Sequence, residues 1–449
     1  MSSTTIAPSR TAWSMRAWAI YLGWIVITLD GSALNLALPA IVRDLRTSAD
    51  GISWVVDAYT LPLASLLLLG GSLGDRLGAE RLFRIGAIGF AASSIACALS
   101  ETFGLLIGFR VAQGVFAALL LPMVLALAGK GFEDPKQRSR VVNLMTLFGG
   151  AGMAVGPLLG GLLADTTGWR AVFWLTAPIA ITAAIFVGAG GPGRIRSYRA
   201  RFDLAGQLTG TAGLLAVVAG LIEAGRSTDV ALITTLLVIG AAMLTSFVLI
   251  ERRSRAPMMP LGVFRNKEFT GSAIGGFAFQ FGAYGLQFFL ALYIQAAWGV
   301  SALTGGLLLI SFAIGTILAS ALINPYLLPR GGRLMIVAGS AAAACGTLLL
   351  LAATTPERWW ILVTAEFVIG AGTAIYSTAL NKTASTSLGG ESAGLASGIY
   401  NTSRQVGQAV GIAVLGALAT IEDTRFGFIA AVLLILCCTA AIAATRVRN

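Results

Sequence analysis

The sequence predicts an all-α polytopic membrane protein, with fourteen transmembrane helices forming two six-helix bundles related by pseudo-two-fold symmetry, plus an inserted two-helix hairpin. Three observations predict it. Hydrophobic residues make up 56% of the 449 positions and charged residues only 11%, against roughly 25% charged in a typical soluble domain. The 31 basic and 20 acidic side chains cannot cover the surfaces that a soluble chain of this length would expose. Apolar stretches of about 20 residues, enough to cross hydrocarbon, recur along the chain, and residues of the first half reappear at a fixed offset in the second.

The spans, set off by charged or Pro/Gly-marked breaks, are 17–40, 51–73, 82–100, 104–128, 141–164, 171–190, 204–224, 229–250, 269–295, 301–328, 334–352, 358–380, 393–420 and 427–445. Residues 1–16 are a polar cytoplasmic tail rather than a signal peptide, because the apolar stretch after them is too long and leads into further spans. Short inner loops collect Lys and Arg. With the N-terminus inside, the loops holding Arg76, Arg81 and Arg84, Lys136, Arg138 and Arg140, Arg194 to Arg201, and Arg252 to Lys267 all fall on the inner side. Both termini are then cytoplasmic, and residues 446–449 form the second tail. The net charge of +11 therefore records orientation beside anionic lipid, not nucleic-acid binding. Trp54, Trp169, Trp298, Trp359 and Trp360 lie near predicted outer helix ends, as an interfacial aromatic belt does.

Leu106, Arg110 and Gly114 of the fourth span recur 256 positions later as Leu362, Glu366 and Gly370. Gly152, Ala154, Val155, Gly156 and Gly161 recur 255 positions later as Gly407, Ala409, Val410, Gly411 and Gly416. Two equal halves would give an offset near 225, and the excess matches spans 204–224 and 229–250. The layout is thus an N-terminal bundle at 17–190, basic linkers and the inserted hairpin within 191–268, and a C-terminal bundle at 269–445. Parallel repeats of this kind place a substrate site near mid-membrane, between halves that rock to open it on alternate sides.

Composition also excludes chemistry. Histidine is absent, which removes Ser-His-Asp triads, Cys-His dyads and histidine metal sites. The four cysteines, Cys97, Cys345, Cys437 and Cys438, lie in apolar runs and read as small buried hydrophobes. Without histidine, proton chemistry must run on carboxylates; there is no Walker sequence, so ATP is not the energy source within this chain, and no cofactor is expected.

Five motifs in order resemble the major facilitator superfamily, specifically its fourteen-helix drug:proton antiporter family. They are Leu29 to Ile41 in the first span, Trp54 to Tyr59 in the second, the loop Gly71-Ser72-Leu73-Gly74-Asp75-Arg76-Leu77-Gly78, Arg110 to Gly114 in the fourth, and Gly152 to Gly161 in the fifth. Pro260 to Asn266 is similar to the segment that follows that family's inserted hairpin. Two departures stand out: Ala79-Glu80 replaces a basic pair after Gly78, and the small Gly31-Ser32-Ala33 stretch widens the space beside Asp30. The resemblance implies a multi-pass protein of the bacterial inner membrane, acting in multidrug efflux and antibiotic resistance. It implies alternating-access export of hydrophobic small molecules or drugs, cations among them, in exchange for protons. A proton-coupled uptake symporter or a lipid flippase would use the same scaffold, and Gly156-Pro157 is the sequence reason to prefer antiport. A membrane-embedded lipid enzyme fits less well, because the acids are scattered. The expected partners are a small-molecule substrate, protons and membrane lipids, with no nucleic acid and a monomeric chain.

An ionisable residue inside a span is a functional candidate by default. Asp30 lies about 15 Å from the outer end of its helix at 1.5 Å per residue. Burial disfavours its charged form and a nearby cation favours it, so movement of Arg110 or of a cationic substrate would make the site load or release a proton. Asp57 matches Arg110 in depth and is expected to pair with it while Asp30 titrates; Glu366 with Arg404 is expected to form the second half's buried pair or a second proton site. Gln280, Tyr284, Gln287 and Ala291 fall on one helical stripe. With Phe288, Asn401, Arg404, Asn35, Tyr59 and Gln113 they are the candidate substrate cavity. Gly71, Asp75, Arg76 and Gly78 are candidate latch residues, and Gly152, Gly156, Pro157 and Gly160 a smooth, kinked packing face.

Overall fold

A computed structural model describes residues 10–47, 51–132, 134–189, 203–224, 229–254, 257, 259–353, 355–388 and 393–418. Within them run thirteen long helices: α1 (Arg10–Asp44), α2 (Ile52–Leu77), α3 (Ala79–Ala98), α4 (Phe103–Lys130), α5 (Pro135–Thr166), α6 (Arg170–Ala189), α7 (Leu204–Ala224), α8 (Val230–Arg253), α9 (Lys267–Trp298), α10 (Ala302–Leu318), α11 (Gly332–Leu350), α12 (Trp359–Thr386) and α13 (Ala393–Leu418). Ten of these are long and apolar enough to cross a membrane, and α2 and α5 carry shorter apolar runs at Trp54–Leu67 and Ala151–Thr166. The predicted fourteenth span, 427–445, lies outside the described residues, as do most of the two tails and the linker 190–202.

Local chemistry sets the helix ends. The Thr102 side chain accepts the Leu105 N–H, that of Asp229 accepts those of Ala231 and Leu232, and that of Asn266 accepts those of Glu268 and Phe269. Each satisfies first-turn donors that have no intrahelical partner. Gly78 stops α2 and starts α3 with φ +90°, a backbone state that L side chains rarely adopt. Beyond Leu318, α10 runs on through a π-helical turn, Ala319–Ile323, and a single turn, Asn324–Leu327, that contains Pro325.

The helix pairings repeat. α1 packs on α5 and α6, α2 on α4, and α3 on α4; in the second half α9 packs on α13, α10 on α12, and α11 on α12. The repeated glycines explain why the same pairs come close. A Cβ on Gly114 would lie 2.3 Å from the Tyr59 carbonyl oxygen of α2, and one on Gly370 would lie 1.9 Å from the Phe312 carbonyl oxygen of α10. On α5, Gly156 rests against Ser32 and Ala33 of α1, as its counterpart Gly411 of α13 rests against Phe281 of α9.

The halves meet in a crossed arrangement, α5 against α10 and α2 against α13, as a two-fold axis between them requires. At the end opposite the N-terminus the α5–α10 seam is closed. There the Leu303 N–H donates to Asp165 Oδ2 at 2.8 Å, and Gly161 and Gly306 abut the Ala302 and Pro157 carbonyls. The hairpin α7–α8 leans through α7 on α2 and α13. Gln207 Nε2 donates to the Ser65 carbonyl at 2.8 Å, and Val218 and Ile222 pack with Leu61, Ala409 and Ala413. α8 lies outside this layer, its only buried residues Gly240 and Glu251. Thus the hairpin covers one seam between the halves, and among the described residues the α5–α10 seam has no such cover.

Candidate substrate and proton site

In the first half the charged core is an ion pair between α4 and α1. Arg110 Nη1 lies 2.7 Å from Asp30 Oδ2, and both side chains are 1% exposed. Gln113 closes the network: its Nε2 donates to Asp30 Oδ1 at 3.1 Å and its Oε1 accepts from Arg110 at 2.7 Å. Arg110 Nε donates to the Val55 carbonyl at 3.0 Å, and the guanidinium lies 4.4 Å from the centre of the Tyr59 ring. Both charges are therefore paired and hydrogen-bonded, the condition under which a buried ion pair is tolerated.

The expected Arg110–Asp57 pair is not formed. Matching depth fixes the axial level of two residues but not the face each presents, and Arg110 reaches past α2, bonding only its backbone, to Asp30. Asp57 is wholly buried; Thr60 Oγ1 donates to its Oδ1 at 3.3 Å, and its Oδ2 has no hydrogen-bond partner. The expected Glu366–Arg404 pair is not formed either. Glu366, also wholly buried, accepts from Gln287 Nε2 at 2.5 Å through Oε2, while its Oε1 has no partner. Arg404 instead donates to Gln280 Oε1 at 3.3 Å and Asn401 Oδ1 at 3.5 Å. Amides of α9 thus stand where each of these charges was expected to find the other.

A narrow cavity opens between the halves, walled by α1, α5, α9 and α10. Of the predicted lining, Asn35, Tyr284, Gln287 and Ala291 contribute to it, joined by Gly31, Ser32, Met153, Pro157 and Phe312. A Cβ on Gly31 would meet nothing within 4 Å, so the small stretch beside Asp30 does face open space. The Asn35 Oδ1 is buried without a partner, and the Tyr284 hydroxyl reaches Met153 Sδ at 3.4 Å across the interface. Other predicted lining residues sit elsewhere. Gln113 belongs to the ion-pair network, Tyr59 packs under Arg110 with its hydroxyl unpartnered, and Phe288 is fully buried in a first-half apolar cluster. Gln280, Asn401 and Arg404 form a separate polar group, with Gln280 Nε2 donating to Gln408 Oε1 at 3.2 Å. Gln408 was missed, although its place one turn after Arg404 on α13 is a readable signal.

On α5, Gly152, Gly156 and Gly160 face Thr28, Ser32 and Ala33 of α1, so this packing face holds one cavity wall. Gly71 and Arg76 lie in the last turns of α2, Arg76 exposed, and the Asp75 side chain is outside the described residues. Glu80, the departure after Gly78, forms an ion pair with Arg16 of α1 at 2.7 Å, so charge ties that loop to its own half. Cys97 is buried as expected; Cys345 is exposed on α11, contrary to its reading as a buried residue, and Cys437 and Cys438 are outside the described residues.

A cavity at the seam of two repeated helical halves, with ionisable groups one side chain behind its wall, is the layout of a solute carrier. Known proteins agree. The puromycin resistance protein pur8 of Streptomyces alboniger is 36% identical over 400 residues, covering 88% of this chain and 80% of that protein. The multidrug efflux pump LfrA of Mycolicibacterium smegmatis is 31% identical over 421 residues, covering 92% of this chain and 83% of that one. In fold alone, a crystal structure of the peptide transporter POT with sulfate superposes with TM-score 0.71 over 99% of this chain and 95% of that one, at 16% identity. The residue pattern of the Major Facilitator Superfamily matches residues 20–252 and 272–449, and with the repeated bundles around a central cavity this establishes that the chain is a multi-pass membrane protein belonging to that superfamily.

Proposed function

We propose that this protein is a secondary active transporter that exports hydrophobic small molecules in exchange for protons by alternating access, and that it is not an enzyme. The observation that carries the proposal is the inter-half cavity whose wall residue Gln287 is bonded to the buried carboxyl of Glu366. The relatives' names, puromycin resistance and multidrug efflux, support export over uptake or lipid flipping. The setting is the bacterial inner membrane, with the 1–16 and 446–449 tails in the cytoplasm, bundles at 17–190 and 269–445, and a monomeric chain that needs no cofactor beyond the proton gradient.

A carboxyl buried without a facing cation must be neutralised, by a proton or by a cationic substrate. Asp30 has its cation in Arg110, so its part in coupling requires Arg110 to move off; Glu366 and Asp57 have none in the described residues. Glu366 is the primary proton carrier in this reading, because Gln287 connects it to the cavity: substrate entry displaces Gln287, and the proton leaves as the halves rock. Arg76 and Asp75 latch the inner end in the opposite state. One proton driven by 100 mV and one pH unit supplies about 3.7 kcal/mol, roughly 500-fold accumulation of a neutral compound.

Purified protein in liposomes under an imposed pH gradient tests this. Wild type drives a hydrophobic fluorescent compound uphill; Glu366→Gln moves it only downhill, and Asp30→Asn retains part of the coupling. Uphill movement undiminished in Glu366→Gln removes that residue from coupling, and no gradient-driven movement by wild type of any hydrophobic compound in a panel of dyes, biocides and antibiotics removes export itself.

A further inference from the structure

The Arg110–Asp30 pair is neutral as a unit, and Asp57, wholly buried and away from the cavity wall, can shed its charge by binding a proton, so the fixed charge lies in the second half. There the guanidinium of Arg404 has no carboxylate: the ion pairs among the described residues are Arg16–Glu80, Arg110–Asp30 and Arg170–Asp44. Its two Nη atoms make only long hydrogen bonds to neutral amide oxygens, 3.3 Å to Gln280 and 3.5 Å to Asn401, and its Nε is buried without a partner. Phe279 and Tyr400 flank it, their ring centres 5.7 and 5.8 Å from the guanidinium carbon. A guanidinium keeps its charge in a protein, whereas a buried carboxyl can shed its own by binding a proton. An unpaired cation inside a membrane span is costly unless something supplies the counter-charge.

Position adds a second argument. Arg404 is held at the level of Gln280, and Glu366 at that of Gln287, seven residues further along α9 and about 10 Å along its axis. With the α5–α10 seam closed at the far end, Arg404 lies outside the cavity wall but two turns nearer the N-terminal side than the carboxyl, the side from which an exported compound would arrive. We infer that the exported compound is a hydrophobic aromatic anion, whose carboxylate, sulfonate or enolate docks on Arg404 while its rings lie against the partly exposed Phe279. This rests on the export reading above and gives it a substrate class. The planar fork of donors matches such a group in two-pronged fashion, and the orphaned Nε supplies the donor that the amides leave unused. A lipophilic cation meets repulsion at the same place.

The test is binding to purified wild-type protein of three probes of similar size: pyrene-1-sulfonate, neutral pyrene-1-carboxamide and the cation pyrene-1-methylammonium. The expected order is sulfonate tightest, by about 10- to 100-fold over the carboxamide, as hydrogen bonds to a charged partner give, and the cation weakest. Arg404→Gln erases the preference and Arg404→Lys, which keeps charge without the fork, restores part of it. A sulfonate that binds wild type no more tightly than the carboxamide, including one that does not bind at all, overturns the assignment whether or not the variants fold; so does an Arg404→Gln protein that keeps the preference. Loading the same probes into liposomes under a pH gradient separates the two claims. Sulfonate preference in binding with no gradient-driven movement sinks the export reading and leaves the anion site standing, and uphill movement that favours the cation does the reverse.

Discussion

The two halves share their backbone plan and differ in how they hold charge. Gly114 of α4 rests on the Tyr59 carbonyl as Gly370 of α12 rests on that of Phe312, so helix contacts at equivalent places are equally tight. At the position beside those glycines the first half has Arg110, paired with an acid of α1, and the second has Glu366, bonded to an amide of α9. The first arrangement cancels its own charge and the second does not. The two halves thus share what steric contact demands, while the charged positions, free of that demand, differ: a closed pair on one side and an open carboxyl with a separate guanidinium on the other.

The largest effect expected from breaking this difference comes from the closed pair. Arg110→Met leaves Asp30 buried with only an amide, at a cost of about 3–5 kcal/mol, and Arg110→Met combined with Asp30→Leu recovers most of it; denaturant unfolding in detergent reads both. If the halves are sterically equivalent, Gly114→Ala and Gly370→Ala each cost about 1–3 kcal/mol, because both push a methyl into a carbonyl oxygen. A loss at only one of the two in the same unfolding experiment would mean that the close contacts are not shared. Glu80→Ala, which breaks the pair with Arg16, costs about 1 kcal/mol, since that pair is partly wet and screened by salt; raising ionic strength should shrink the difference between this variant and wild type. The smallest change falls at the open carboxyl. Glu366→Gln alters stability by less than about 1 kcal/mol, because an amide accepts from Gln287 equally well and no ion pair is lost, yet the same variant loses coupling in the liposome assay.

Much of this was legible in the sequence, for a definite reason. Hydrophobic length and basic loops report on the bilayer, a solvent external to the fold, so spans such as 204–224 are recovered to the residue in α7. The glycine offset is equally direct, since a glycine that admits a neighbouring carbonyl tolerates no side chain, and the repeat therefore survives in the letters. The stripe on α9 was readable too, and three of its four members line the cavity or its rim. Pairing was not readable. Arg110 and Asp57 share a depth, and Glu366 and Arg404 share a half, but which side chains meet depends on helix rotation and on the amides between them, neither of which leaves a periodic trace.

The amino-acid order by itself determined that the chain lives in a membrane, that it is built twice, and where along its spans the few intramembrane charges lie, because each of these follows from transfer free energies and steric exclusion acting on single helices. Only the tertiary structure decided that Arg110 neutralises Asp30, that Gln287 reaches Glu366 while Arg404 lacks a carboxylate among the described residues, and that the hairpin covers one seam and not the other. Those outcomes are differences between competing contacts of similar strength, and such competition is settled by the rotation and register of packed helices.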